Sequence, residues 1–153
     1  GMEVIAIDKK TEPCEICIPI GKDQTARYTI TPTASLHNVL GSLDFISIHV
    51  PKQGDGSAVI SAKEFALMKK GVRIVNAARG GVVNELDLLE ALDNGNVAGI
   101  ALDVFENEPT PEIQILMQPK ISLTPHIGAA TLEAQDRIGT ELAEQIISLL
   151  KNK

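Results

Sequence analysis

Short apolar runs alternate with amphipathic stretches along most of this chain, and each run stops at a turn-forming residue. Val4-Ile5-Ala6-Ile7 is wholly apolar and ends at Asp8, the pattern of a buried parallel strand. Phe45-Ile46-Ser47-Ile48-His49-Val50 reads as a second strand, halted by Pro51, which cannot donate to a ladder. Val72-Arg73-Ile74-Val75 is a third, ending at Asn76. Residues 97–102 form a fourth, in which Gly99 and Ala101 keep the surface flat and Asp103 closes the run. Ile121-Ser122-Leu123 is the last, a buried run stopped at Thr124-Pro125.

Helical signals fill the gaps. Residues 35–40 read as a short helix stopped by Gly41. Ser61 and Glu64 form a capping box, starting a helix that turns Phe65 and Met68 inward and ends at Gly71. Asn84 caps a helix with Leu88, Leu89 and Leu92 on one face, closed by Gly95. A long amphipathic helix opens near Thr131, and Ile138, Leu142, Ile146 and Leu149 form its buried stripe. Between residues 9 and 32 the pattern weakens. Pro13, Pro19 and Pro32 exclude a long helix, and loose alternation on either side of Gly21 fits a hairpin or an irregular excursion.

Strand and helix therefore alternate without repeats or an internal linker. The pattern predicts one α/β domain over residues 1–153 built on a doubly wound parallel sheet. Composition supports this, because aromatic residues are only 3% and Trp is absent, so Ile, Leu, Val and Ala must build the core. A net charge of −6 with no basic stripe argues against nucleic acid as a partner. No run approaches the roughly 18 apolar residues of a membrane span, and no signal-peptide pattern leads the chain. A cytoplasmic protein is expected. Cys14 and Cys17 form a lone Cys-x-x-Cys with no second pair, so no metal site is expected and the two are read as exposed thiols.

The polar residues of interest fall after strand ends: Asp8, His49, Arg79, Asp103, Glu108 and His126. Ligands bind at the carboxyl ends of strands in open α/β sheets. A histidine there, beside a carboxylate such as Glu108 or Asp103, can move a proton near neutral pH. Arg79 in its glycine-flanked turn can grip a carboxylate with two parallel hydrogen bonds. Such a set suits an oxidation in which histidine takes a hydroxyl proton while hydride leaves the same carbon for a cofactor. Each residue also has a plainer reading: Arg79 as a surface ion pair, Glu108 as a solvated loop charge, Asp103 as a turn cap, and His126 as the cap of a strand end.

Four motifs carry a resemblance: His49-Val50-Pro51, the run from Val75 to Gly81, the run from Ala101 to Pro109, and Thr124-Pro125-His126-Ile127-Gly128. With them the chain resembles the D-2-hydroxyacid dehydrogenase family from Val4 to the last helix. The stretch from Gly128 to Gln135 looks most like the branch acting on 3-phosphoglycerate, in serine biosynthesis, with glyoxylate or hydroxypyruvate reductases as the alternative. The resemblance implies a Rossmann-like NAD-binding domain acting on a small 2-hydroxy or 2-keto acid, in an enzyme that forms a homodimer. It implies that Arg79 binds the substrate carboxylate, that His126 is the general acid/base and that Glu108 pairs with it. It implies that Asp103 contacts the nicotinamide carboxamide and that Asp8 holds the adenosine ribose, which favours NAD. His49, Val50, Pro51, Ala77, Ala78, Ile127, Gly128 and Ala129 would line the cofactor. A non-catalytic, dinucleotide-sensing module of the same fold is the reading from a different class.

Two departures qualify the match. Lys52-Gln53-Gly54-Asp55-Gly56 replaces the Leu-Thr and nearby Glu-Thr usual after the proline, and Lys9 and Lys10 beside Asp8 would tolerate a 2′-phosphate. A Gly-x-Gly-x-x-Gly phosphate loop is also not found, so the first βα unit and the substrate domain are expected to be lacking. The expectation is a segment that carries catalytic residues yet turns over feebly by itself.

Overall fold

A computed structural model describes residues 1–151, which fall into two units, residues 1–42 and the described residues from 43 onward. In the first, strands β1 (Cys14–Ile20) and β2 (Gln24–Ile30) form an antiparallel hairpin with Cys14 opposite Ile30. The loosely alternating stretch is thus a hairpin. Glu15 and Arg27 pair across it at 2.7 Å. Cys14 and Cys17 lie three residues apart on one strand, which sends them to opposite faces, and both are free and exposed. Val4-Ile5-Ala6-Ile7 is not the buried strand expected. Ile7 makes one isolated bridge to Thr33, and Val4 is 73% exposed. An apolar run becomes a strand only where it finds a ladder on which to pair, and this one finds a single bridge. Helix α1 (Leu36–Val39) continues as a 3-10 turn over Leu40–Ser42, so Gly41 lies inside the helical segment and does not stop it.

The second unit is a parallel sheet of four strands in sequential order: β3 (Phe45–Ile48), β4 (Val72–Asn76), β5 (Val97–Leu102) and β6 (Ile121–Leu123). Helices α2 (Ala62–Leu67), α3 (Glu85–Asp93) and α4 (Ile113–Met117) make the three crossovers. Right-handed crossovers between strands in sequential order place every helix on the same side of the sheet. Burial follows that rule. Val72, Ile74 and Asn76 of β4 are buried, while Arg73 and Val75 are exposed on the other face. Leu88, Leu92 and Ile115 are inaccessible on the helical side, whereas Phe45 is 61% exposed. These strands and helices form a Rossmann-like α/β unit, one wing of a doubly wound arrangement.

Local chemistry sets the helix starts. Ser61 donates its backbone N–H and its hydroxyl to Glu64, at 3.0 and 2.7 Å, completing the capping box. Asn84 accepts from the Asp87 N–H at 2.9 Å. Helix α2 ends at Leu67, short of Gly71, because Met68 is already extended, though Phe65 and Met68 are buried as expected. Helix α4 follows Pro111, in a stretch for which the apolar pattern predicts no element. Strand β6 is an edge strand, so only Ile121 is buried and Ser122 and Leu123 are exposed. Thr131 opens α5 (Leu132–Lys151) by accepting from the Ala134 N–H at 3.2 Å. No residue of that helix is buried: Ile138, Leu142, Ile146 and Leu149 are 49–71% exposed. The stripe is present in the sequence, but no described element covers it.

A direct comparison follows from this asymmetry. Leu92→Ala should lower unfolding stability by about 2–5 kcal/mol, while Leu142→Lys on α5 should shift it by no more than about 0.5 kcal/mol. Denaturant unfolding of the two variants checks both.

Candidate active site

The carboxyl ends of β4, β5 and β6 lie side by side, so the loops after Asn76, Leu102 and Leu123 share one edge of the sheet. The β5 loop begins with Asp103, which is 7% exposed. Its carboxylate accepts three hydrogen bonds from the β6 loop: the Thr124 hydroxyl at 2.6 Å, the Ile127 N–H at 2.9 Å and the Gly128 N–H at 2.8 Å. Burial pushes the Asp103 carboxyl up, but these three donors and the nearby His126 outweigh it and hold the group below the ordinary aspartate range.

The β6 loop folds tightly around that carboxylate. His126 has φ +55, a left-handed conformation that non-glycine residues seldom adopt. Gly128 approaches so closely that a Cβ there would lie 2.9 Å from Asp103 Oδ2. The result presents the His126 ring to Glu108, with Nδ1 and Oε2 at 2.7 Å. Glu108 is itself fixed, its Oε1 accepting from the Phe105 N–H at 2.9 Å. The bond to His126, then that to Phe105, holds the Glu108 carboxyl below the usual glutamate range. A cleft of about 410 Å³ opens beside the pair, walled by Phe105, Pro109, Leu116 and Leu123.

The β4 loop brings Arg79. Asn76, buried at the strand end, accepts from the Ala78 N–H at 3.1 Å and donates to the Arg79 carbonyl at 3.2 Å, closing an Asx-type turn. Arg79 is exposed and donates one N–H to the Ala78 carbonyl at 2.7 Å, leaving further donors for a ligand. Gly80 rests on the next loop, where a Cβ would sit 1.7 Å from the Phe105 carbonyl oxygen. No side chain fits there.

Asp103, Glu108, His126, Ile127 and Gly128 are therefore joined in one bonded cluster, and the turn of Ala77, Ala78 and Arg79 is packed against the loop bearing Glu108. Ala77 is exposed and Ala78 half-buried. Ala129 follows in an exposed turn in which the Ala130 N–H reaches the Ile127 carbonyl at 3.0 Å. His49 bonds Ser47 Oγ on its own strand at 2.8 Å and does not join the cluster; Val50 is half-buried and Pro51 exposed. Asp8 belongs to the first unit, where it accepts from the Lys10 N–H at 2.8 Å. The unusual loop after Pro51 lays Lys52 over the Arg79 turn, its Nζ 3.2 Å from where a Gly81 Cβ would be. Sequence reasoning missed Asn76 and Thr124 as organisers of these loops. An asparagine closing a strand before Ala-Ala-Arg-Gly is an Asx-turn signal that could have found the first.

With three donors on Asp103, a carboxylate's roughly four acceptor positions leave one for an amide N–H. That remaining acceptor fits the N–H of a nicotinamide carboxamide. Because folding holds Asp103 ionised, its contribution is present above the ordinary aspartate range and is lost as pH falls through its depressed value. Asp103→Asn removes the charge and should leave at least one of these part-buried donors unmatched, at a cost of about 1–3 kcal/mol. Protection of the Ile127 and Gly128 amides from exchange should be high at neutral pH, fall selectively in acid, and be lower for at least one of the two in the variant.

Comparison with known proteins gives this geometry its context. Residues 1–128 match the family model for the D-isomer specific 2-hydroxyacid dehydrogenase NAD binding domain. The chain is 38% identical to a D-3-phosphoglycerate dehydrogenase of Bacillus subtilis, over 87% of its own length and 25% of that protein's. Among solved structures it is similar to a glyoxylate reductase from Paecilomyes thermophila, with TM-score 0.65 and 39% identity over 71% of this chain and 33% of that one. It is also similar to an NADPH-dependent glyoxylate/hydroxypyruvate reductase of Sinorhizobium meliloti solved with NADP, with TM-score 0.68 and 31% identity over 80% of this chain and 40% of that one. The chain spans about a quarter of the length of the curated relatives it matches. A parallel sheet with a linked Asp-Glu-His cluster at its carboxyl edge, and a family match over most of its length, place this chain among the NAD-binding domains of the D-2-hydroxyacid dehydrogenases.

Proposed function

We propose that this chain is the cofactor-binding and proton-transferring part of an oxidoreductase that interconverts a D-2-hydroxy acid and its 2-keto acid. The observation that carries this reading is the 2.7 Å contact between His126 Nδ1 and Glu108. A pure dinucleotide binder has no use for such a pair. With Nδ1 engaged, Nε2 is the nitrogen left to accept a substrate hydroxyl proton, and Glu108 stabilises the imidazolium that results. Arg79 grips the substrate carboxylate through its remaining N–H groups and so orients the carbon that reacts. Asp103 offers its remaining acceptor position to the carboxamide of the cofactor, and the small Ala77 and Ala78 leave room for the ring. When bound, NAD supplies the acceptor for the hydride leaving that carbon. In the reverse direction the protonated His126 returns its proton to the carbonyl oxygen.

Among 2-hydroxy acids we read 3-phosphoglycerate as the substrate, giving 3-phosphohydroxypyruvate. The sequence from Gly128 to Gln135 and the curated relative from Bacillus subtilis support this. Glyoxylate or hydroxypyruvate is the second reading, favoured by the solved relatives. A chimera tests the proposal, with this chain replacing the matching residues of the Bacillus subtilis relative and NADH fluorescence followed on adding 3-phosphoglycerate and NAD. Turnover is expected, with His126→Ala lowering kcat about 1,000-fold and Glu108→Gln about 100-fold while NADH binding persists. Equal turnover by His126→Ala would contradict the proton-transfer role. Silence with every 2-hydroxy acid, with NADH still bound, would leave a binding module.

A further inference from the structure

Glu85 stands at the start of α3, where an acidic residue is ordinarily read as a solvated complement to the helix dipole. Its environment is different. It is 6% exposed, and one of its carboxylate oxygens, Oε2, is buried without a hydrogen-bond partner. The other oxygen accepts from the backbone N–H of Glu106 at 2.7 Å. Glu106 returns the contact, its Oε1 accepting from the backbone N–H of Glu85 at 2.8 Å. Two glutamates thus exchange side chain-to-backbone bonds across 21 residues of sequence. Burial, with Glu106 and Glu112 as neighbouring negative charges, pushes the Glu85 carboxyl up despite the amide it accepts from. Placing a carboxyl there costs stability, and neither packing nor the helix dipole explains why the position is not apolar.

Its connections supply a reason. Glu85 lies six residues after Arg79, on the segment that leaves the Arg79 turn and enters α3. Glu106 follows Phe105, whose carbonyl is the surface on which Gly80 rests and whose N–H holds Glu108. Glu108 in turn meets His126 at 2.7 Å. The two segments are therefore pinned twice, by backbone contact at Gly80 and by the reciprocal bonds at Glu85, with both pins following Arg79 and preceding Glu108 in the chain.

We infer that Glu85 and Glu106 are positioning residues, a reciprocal clamp that fixes the Arg79 turn against the loop presenting Glu108 to His126. The functional weight of the clamp rests on the proposed roles of Arg79, Glu108 and His126, because misplacing reacting groups by about 1 Å can cost on the order of 100-fold in rate. The clamp itself is a statement about loop geometry and is tested without turnover.

The test is the titration of Glu108, read from its side-chain carboxyl carbon by NMR in the 153-residue chain. That midpoint senses how closely Glu108 is held by His126 and Phe105, with Asp103 as an opposing negative charge. Glu85→Ala and Glu106→Ala each remove one clamp bond and should shift the Glu108 midpoint upward, toward that of a free glutamate. Glu85→Gln and Glu106→Gln keep an acceptor oxygen and should restore the parent midpoint. Glu106 is exposed, so its alanine variant keeps the measurement available if Glu85→Ala fails to fold. A generally destabilising change that left the loop in place would lower the unfolding midpoint without moving Glu108. Parent-like titration of Glu108 in folded Glu106→Ala would overturn the clamp, and a shift as large in the glutamine variants as in the alanine ones would do the same. Absence of dehydrogenase activity would bear only on the proposed function.

Discussion

The carboxylate of Asp103 holds together two loops that the sheet merely brings side by side. Strand β5 ends just before Asp103 and strand β6 ends before Thr124, and three hydrogen bonds of 2.6–2.9 Å join Asp103 to the loop after β6. Those bonds offset a real cost. A non-glycine residue in a left-handed conformation is strained by about 1–3 kcal/mol, and His126 at φ +55 is such a residue. A hydrogen bond to a charged acceptor is worth about 1.5–3 kcal/mol, so three of them on Asp103 offset the strain of the turn. Remove the carboxylate and the left-handed turn loses the bonds that hold it, leaving the bond to Glu108 to hold the His126 ring by itself. The close approach at Gly128 belongs to the same constraint, since a side chain there would press on Asp103 Oδ2.

The rest of the second unit serves to place that contact. Sequential strand order puts α2, α3 and α4 on one side, where Leu88, Leu92, Ile74 and Ile115 exclude water. With the helical side packed, the strand ends are rigid and the loops after them can be shaped by polar bonds alone. Asn76 shapes the first loop, Asp103 joins the second to the third, and Gly80 allows the first to rest on the second. The shape of this edge is therefore a matter of backbone geometry, enforced by side chains that bond one loop to the next.

Much of this was legible in the sequence. Four apolar runs ending in turn residues gave the sheet, the Ser61–Glu64 pattern gave a helix start, and the histidine after Thr124-Pro125 lies 2.7 Å from the glutamate before Pro109. The failures share a physical cause. Periodicity shows that a face is apolar, and says nothing about whether a partner covers it. Ile138, Leu142 and Ile146 are correctly spaced yet exposed; Val4 lies in a strand-like run without a ladder; Leu123 lies in a run that proves to be a sheet edge. Glu85 and Glu106 were missed for the opposite reason. A glutamate in a first turn and another in a loop both have ordinary explanations, and only the fold shows that each reaches the other's backbone.

The central claim is that Glu108 fixes the imidazole of His126 for proton transfer through Nε2. The most direct measurement is the tautomer of that ring, read from its nitrogen-15 shifts and its long-range proton couplings at a pH where it is neutral. The account predicts that the proton resides on Nδ1, facing Glu108, and that Glu108→Gln releases this preference. A ring protonated mainly on Nε2, or one exchanging freely between tautomers in the unaltered chain, would contradict it.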